Sequence, residues 1–197
     1  MVEKYSIVKE IKQYAKDNKV PIMLDDGINF LTNYIIKKQV KNVLEIGTAI
    51  GYSAIKMCLS SPTVKVTSIE RNETRYLEAL KNIKKLDLED RITLIYNDAE
   101  NVKLDDKYDL IFIDAAKAQN IKFFESFEKN LDPNGAIITD NLKFHGLVDK
   151  NEEDIKSKNV RGLVRKIKEY IKFLENNKKY DTEFYDLGDG ISVSIKK

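Results

Sequence analysis

Two pairs of polar residues directly follow apolar segments of this sequence, and their spacing is suited to chemistry. Asp114 ends the apolar run LIFI at 110–113, and Lys117 follows three residues later. Asp140 and Asn141 end a second apolar run in the same way. An uninterrupted apolar run is typical of a strand covered on both faces, and ligands of such sheets bind beyond the carboxyl ends of the strands. We therefore expect these four residues to face one crevice.

Their chemistry predicts a metal site with a base beside it. Two carboxylates and an amide are hard oxygen ligands of the kind Mg²⁺ prefers, and without a cation the carboxylates would repel each other. Lys117 lies one turn beyond Asp114 and suits a general base. The structural alternative is that Asp and Asn serve as helix N-caps, with Lys117 an ordinary solvated side chain.

A second group of residues indicates a nucleotide-like ligand. Gly47 and Gly51 flank a turn that opens a helix, so that the backbone can approach a ligand closely. Glu70 follows Gly51 by nineteen residues at the end of the next strand, which suits the two hydroxyls of a ribose. Asp98 could accept the amino group of an adenine. Alternatives are a merely tight turn, a carboxylate favoured by a helix dipole and a solvated loop acid. Taken together, the glycines and Glu70 favour an adenosine-containing ligand.

The elements that must position these residues alternate between apolar strands and amphipathic helices. Such alternation predicts an α/β fold, with a mostly parallel sheet and helices on both faces. Helices are predicted at 5–16, 26–38, 52–60, 72–85 and 156–175, with a further helix around 123–127. Strands are predicted at 42–47, 64–70, 91–98, 108–114 and 136–141, followed by a hairpin around 188–190. The segment LDPNG at 131–135 is predicted to be a turn.

Composition limits the class of protein. With 197 residues and 42% hydrophobic residues, the chain fits a single domain, 1–197, in which helices within 1–38 cover the site. No signal peptide or membrane span is predicted, and the only cysteine, Cys58, cannot form an internal disulfide, so a cytoplasmic location is expected. A net charge of +2 does not by itself indicate a nucleic-acid partner.

The motifs LEIGTAIGYSA, SIERN, FIDAAKAQ and ITDNLKFHG, in this order, resemble the metal-dependent O-methyltransferases of the catechol and caffeoyl-coenzyme A type. Within that group the chain resembles the bacterial tRNA 5-hydroxyuridine methyltransferases more closely still. The resemblance implies a Rossmann-like, seven-stranded methyltransferase sheet whose last strand is antiparallel. It implies Asp114, Asp140 and Asn141 as Mg²⁺ ligands and Lys117 as the base. It also implies contacts to S-adenosylmethionine from Met23, Gly47, Ser53, Glu70, Asp98, Ala99 and Asp114.

The acceptor that the resemblance implies is 5-hydroxyuridine at the wobble position of tRNA, which becomes 5-methoxyuridine. A small catechol-like or phenolic metabolite is the alternative, because either acceptor presents two neighbouring oxygens to one metal. The basic stretch 156–179, with Arg161, Arg165 and Lys166, favours contact with the tRNA anticodon region, although a solvated amphipathic helix would look the same. A homodimer is expected from the resemblance alone. His145 is interpreted as a loop residue that packs over the acceptor.

Two unrelated functions remain as rivals. A nicotinamide-dependent oxidoreductase would share Glu70 but needs a third glycine and a second nucleotide-binding half, and neither is visible. A non-catalytic cofactor- or RNA-binding module would have no need of Lys117 beside three metal ligands.

Overall fold

The structure is a computed structural model that describes residues 2–197. It contains six α-helices: α1 (Val2–Asp17), α2 (Asp25–Lys38), α3 (Tyr52–Ser60), α4 (Glu73–Lys84), α5 (Asn120–Phe127) and α6 (Lys158–Glu175). The strands are β1 (Asn42–Ile46), β2 (Lys65–Glu70), β3 (Ile92–Tyr96), β4 (Tyr108–Ile113), β5 (Leu131–Thr139), β6 (Tyr180–Tyr185) and β7 (Ile191–Lys196). Among residues 2–197, no helix is long and apolar enough to cross a membrane.

All the strands form one seven-stranded sheet in the order β3-β2-β1-β4-β5-β7-β6. The first five strands run parallel, and β7 lies antiparallel between β5 and β6. Ile46 is in register with Ile113, and Ile113 is in register with Thr139. The Rossmann-like fold and its antiparallel last strand are therefore confirmed. The register also brings the residues that follow β1, β4 and β5 to the same edge.

The sheet is buried on both faces, as the apolar runs predicted. Along β4, Leu110 and Phe112 join the core formed with α1 to α4, whereas Ile111 and Ile113 join the core formed with α5 and α6. Each of these four side chains is fully buried, which contributes about 1.5–3 kcal/mol apiece to folding. The central strands are thus fixed from both sides, and their carboxyl ends form a rigid edge.

The prediction of a turn at 131–135 was wrong, because this segment lies inside β5. Leu131 pairs with Tyr108, the register then shifts, and Ala136 pairs with Leu110. Pro133 has no N–H to donate to the ladder, so the strand is irregular there but does not reverse. The chain has already turned in the 3₁₀ helix Glu128–Asn130.

The other elements differ from the predicted bounds by a few residues, and two of the differences have a visible cause. Asn72 precedes α4 as its N-cap and accepts a hydrogen bond from the amide of Arg75 at 3.0 Å. Ser157 caps α6 in the same way through the amide of Val160. A capping residue looks helical in a sequence pattern but lies outside the helix.

Candidate active site

A pocket of about 270 Å³ opens beyond the carboxyl ends of β1, β2 and β4. Nine of the ten residues predicted for the methyl donor, the metal and the base lie on its wall. They are Met23, Gly47, Ser53, Glu70, Asp98, Ala99, Asp114, Lys117 and Asn141. Asp140 is the exception: its side chain is buried at 4% exposure and does not line the pocket.

The glycine turn after β1 has strict steric requirements. Gly47 has φ +103°, and a Cβ atom there would lie 2.3 Å from the carbonyl oxygen of Asp114. Any side chain at Gly47 would therefore separate β1 from the end of β4. Gly51 has φ +84° and precedes α3. The two glycines thus allow the backbone of the turn to pack closely against the end of β4, where the pocket opens.

Glu70 and Asp98 are held as hydrogen-bond acceptors on one side of the pocket. One oxygen of Glu70 accepts the amide of Ala49 and the other the amide of Asn72, each at 2.8 Å. Asp98 accepts the amide of Glu100 and lies 3.2 Å from a guanidinium nitrogen of Arg71. Both contacts lower the pKa of Asp98, and the hydrogen bond from the amide of Glu100 has the larger effect. Both carboxylates have lone pairs left for hydroxyl or amino groups of a ligand.

Glu45 is a buried acid beneath the glycine turn that sequence reasoning did not single out. It is fully buried on β1, and it accepts hydrogen bonds from the hydroxyls of Ser53, at 2.5 Å, and Ser68. Burial raises the pKa of Glu45 to about 7, although both hydroxyls oppose the shift. Because Ser53 donates its proton to Glu45, only its lone pairs can serve a ligand. The sequence did contain a signal for Glu45, because it is the single carboxylate within the apolar strand NVLEI.

The residues after β4 and β5 form a compact acidic group. The side-chain amide of Asn141 donates to Asp114 at 2.8 Å, and the backbone amide of Asp140 donates to the carbonyl of Ile113. Burial raises the pKa of Asp140 to about 6. Burial, and then the charge of Asp140, raise the pKa of Asp114 well above its usual value. The positive charge of Lys117 lowers both pKa values but does not offset burial.

This group fits a divalent cation. Oδ1 of Asp140 is buried and has no hydrogen-bond partner, so a lone pair in a low-dielectric environment is unsatisfied. No cluster of three or more His, Cys, Asp or Glu that could hold a metal occurs in the part of the chain that the structure describes. The candidate set has two carboxylates and takes its third oxygen from the amide of Asn141. Such an oxygen-only set suits Mg²⁺, which keeps several waters.

The basic residues predicted to contact RNA lie outside the pocket and already have protein partners. Arg161 donates to the carbonyl of Ile155 at 2.6 Å. Arg165 pairs with Glu152 at 2.6 Å, and Lys166 pairs with Glu169 at 2.7 Å. The helix that carries them, α6, packs against the 3₁₀ helix Lys117–Gln119, which lines the pocket.

A seven-stranded sheet of this order, with a glycine turn after β1 and an acid at the end of β2, defines a class I S-adenosylmethionine-dependent methyltransferase. The profile of the O-methyltransferase family matches residues 1–197, and the chain belongs to this family, to its caffeoyl-CoA type.

Similar proteins agree with this assignment. A structure from Staphylococcus aureus, described as a candidate caffeoyl-CoA O-methyltransferase, is 40% identical with a TM-score of 0.91, over 96% of this chain and 92% of that one. An O-methyltransferase from Bacillus cereus, solved in complex with SAH, is 26% identical with a TM-score of 0.81, over 98% and 91% of the two chains. The caffeoyl-CoA O-methyltransferase of Populus kitakamiensis is 28% identical over 190 residues, which cover 92% of this chain and 80% of that protein.

Proposed function

We propose that the protein is a Mg²⁺-dependent O-methyltransferase that converts 5-hydroxyuridine at the wobble position of tRNA to 5-methoxyuridine. The observation that carries the catalytic part of this proposal is the acidic group Asp114, Asp140 and Asn141 beside Lys117. The buried carboxyl of Asp140 and the half-buried carboxyl of Asp114 both have raised pKa values, so the pair requires protons or a cation to reduce its repulsion. A cation at this oxygen-only site would lie beside the methyl-donor pocket.

The proposed roles follow from where the side chains lie. S-adenosylmethionine would supply the methyl group, held by the glycine turn, Glu70 and Asp98. Mg²⁺ held by Asp114, Asp140 and Asn141 would supply positive charge that favours the ionised hydroxyl of the acceptor. In its neutral form, Nζ of Lys117 would accept the hydroxyl proton as the oxygen–methyl bond forms and the sulfur–methyl bond breaks, with S-adenosylhomocysteine as the leaving group.

A basic groove beside the pocket supports tRNA as the acceptor. Lys9, Lys12 and Lys16 line this groove, and it shares Pro21 and Ile22 with the wall of the pocket. Among residues 4–197, whose side chains the structure describes, Lys9 and Lys16 form no ion pair, although Lys9 lies over the ring of Tyr5, whereas Lys12 pairs with Asp25. A nucleotide that enters the pocket leaves its neighbouring phosphates at the pocket mouth, where free ammonium groups favour binding.

Arg165 and Lys166, which lie on α6, remain proposed contacts to tRNA phosphates. Their present ion pairs are solvent-exposed, and pairs of this kind contribute at most about 1 kcal/mol, so a phosphate can replace them. Arg161 is also proposed, but it bonds a backbone carbonyl, so its replacement would disturb the segment before α6.

A small phenolic acceptor is the second candidate. It is favoured by the names of similar proteins, which include the caffeoyl-CoA O-methyltransferase of Populus kitakamiensis and a flavonoid 3',5'-methyltransferase of Vitis vinifera. Both acceptors present two neighbouring oxygens, so the metal site accommodates either.

The deciding experiment supplies labelled S-adenosylmethionine and Mg²⁺ with either tRNA that carries 5-hydroxyuridine or catechol. We expect label in 5-methoxyuridine and poor turnover of catechol. Turnover of catechol far above that of tRNA would establish the second candidate instead.

A charge-reversal pair tests the basic groove. The variant Lys9→Glu/Lys16→Glu should weaken tRNA binding and lower the salt dependence of log Kd by about two. The control Lys37→Glu/Lys38→Glu makes the same charge change at the exposed end of α2 and should retain tRNA binding. Equal losses of tRNA affinity in the two double variants would show that binding depends on the net charge of the protein and not on this groove.

A homodimer is also proposed, on the family resemblance. Sedimentation equilibrium, which measures mass independently of shape, tests this proposal directly.

A further inference from the structure

The turn between β6 and β7 contains a buried carboxylate that the proposed reaction does not use. Asp189 is 6% exposed. Its Oδ1 accepts the backbone amide of His145 at 2.6 Å, whereas its Oδ2 is buried without a hydrogen-bond partner. Nδ1 of His145 lies 3.8 Å from Oδ2, which is beyond hydrogen-bonding distance. A buried acid with an unsatisfied oxygen is costly, so its position needs a reason.

The segment that Asp189 holds has an unusual backbone. Asn141, Phe144 and His145 have φ values of 69°, 46° and 56°, and Gly146 has 75°. A left-handed residue other than glycine costs on the order of 1–2 kcal/mol, and such a run persists only when surrounding contacts determine it. We call residues 141–146 the left-handed segment.

The contacts that determine this backbone come from the β6–β7 turn. The amide of Lys143 donates to the carbonyl of Asp189 at 2.7 Å, and the amide of Leu142 donates to the carbonyl of Gly190 at 3.0 Å. With the side-chain bond to His145, three amides of the left-handed segment are held by two neighbouring residues. Gly190 allows this approach, because a Cβ atom there would lie 3.0 Å from the nitrogen of Lys143.

The left-handed segment begins at a proposed metal ligand and carries one exposed side chain, that of His145, near its other end. Asn141 lines the pocket. Four residues further on, the side chain of His145 is 74% exposed, and its ring centroid lies 5.5 Å from that of Phe144. Neither ring is part of the pocket wall, and the two rings lie three and four residues beyond Asn141 along the chain.

We propose that Asp189 is a positioning residue for the acceptor: its hydrogen bond to the His145 amide fixes the left-handed segment so that Phe144 and His145 face the bound acceptor. This inference rests on the proposed function only in requiring that the acceptor binds beside Asn141. In this role Asp189 itself contacts neither the methyl donor nor the acceptor.

Two substitutions at Asp189 test this role. Asp189→Ala removes the acceptor of the His145 amide, and loss of one such bond should raise the acceptor KM about tenfold and leave kcat and the Kd for S-adenosylmethionine within about twofold. Asp189→Asn keeps an oxygen that can accept the amide and should restore the wild-type KM. A KM that rises equally in both variants would assign the effect to charge and overturn the proposal, and so would an unchanged KM in Asp189→Ala.

Hydrogen exchange gives a readout that does not depend on the acceptor. The amide of His145 should be protected in the wild type and in Asp189→Asn, and should exchange at least about tenfold faster in Asp189→Ala. An unprotected His145 amide in the wild type would overturn the proposal even if Asp189→Ala fails to fold. His145→Ala keeps the backbone amide, so it should retain protection and lose only the ring contact.

The kinetic arm uses tRNA that carries 5-hydroxyuridine and catechol in parallel. If the wild type methylates neither, the proposed function fails, and hydrogen exchange still decides whether Asp189 fixes the segment. If the wild type methylates either one and Asp189→Ala behaves like the wild type, only the role of Asp189 fails.

Discussion

Replacing Glu45 by glutamine should change how the stability of the protein depends on pH. In the folded protein the pKa of Glu45 is raised from 4.5 to about 7 by burial. This difference corresponds to about 3 kcal/mol that the folded state loses when Glu45 ionises. The folded protein binds the proton more tightly than the unfolded chain does. The free energy of unfolding therefore falls as pH rises from about 4.5 to about 7.

Glutamine removes the ionisation but disturbs a hydrogen-bond network. The hydroxyls of Ser53 and Ser68 both donate to Glu45, and Ser68 also lies 2.5 Å from the hydroxyl of Thr48. Only one atom of the glutamine amide can accept, so one serine must reorient, at a cost of about 1 kcal/mol. We expect Glu45→Gln to be about 1 kcal/mol less stable than the wild type at pH 4, where Glu45 is largely protonated in both states. At pH 8 it should be about 2 kcal/mol more stable.

Urea unfolding of both proteins between pH 4 and pH 8, with saturating Mg²⁺, measures this crossing. Mg²⁺ is included because the carboxyls of Asp114 and Asp140 would otherwise add a dependence of the same sign. Glu89→Gln, at an exposed position, is the matched control and should run parallel to the wild type. Parallel curves for Glu45→Gln would show that Glu45 does not ionise in this range and would refute the reasoning.

Four further outcomes are expected at the pocket. Gly47→Ala places a Cβ atom 2.3 Å from the carbonyl oxygen of Asp114, so it should lower the midpoint of thermal unfolding and abolish donor binding in calorimetry. Lys117→Met should lower kcat by about 10²–10⁴-fold, measured by release of S-adenosylhomocysteine, with the donor Kd unchanged. Glu70→Gln keeps the shape but loses the charge, and it should raise the donor Kd about tenfold or more in the same titration. Mg²⁺ affinity should fall as pH drops through about 6, where Asp140 becomes protonated, and titrations in buffers of different ionisation enthalpy should detect the released protons.

The sheet and most of the pocket could be predicted because both depend on patterns local to the chain. Apolar runs of the length of β4 and β5 identify strands, and parallel strands bring their carboxyl ends to one edge. The residues that immediately follow those strands were therefore predicted without any knowledge of side-chain packing. This reasoning is what placed Glu70, Asp114 and Asn141 on the pocket wall.

Features that depend on packing between distant segments were missed. The hydroxyls that hold Glu45 come from α3 and β2, and no local pattern connects them. Asp140 is buried and does not line the pocket, whereas its neighbour Asn141 does, and the strand pattern alone cannot distinguish the two. The ion pair of Arg165 depends on Glu152, thirteen residues away on another element, so a count of basic residues overstated the free charge of α6. Pro133 indicated a turn but occupies an irregular position within β5.

The contact between Gly47 and the carbonyl oxygen of Asp114 has a consequence for redesign. Since no atom fits between them, the support for the methyl donor and the support for the acceptor cannot be shifted independently. Libraries that seek new acceptors should leave this junction alone. The useful diversity lies away from it, at Pro21 and Ile22 on the pocket wall and, if Asp189 has the role proposed above, at the ring pair Phe144 and His145.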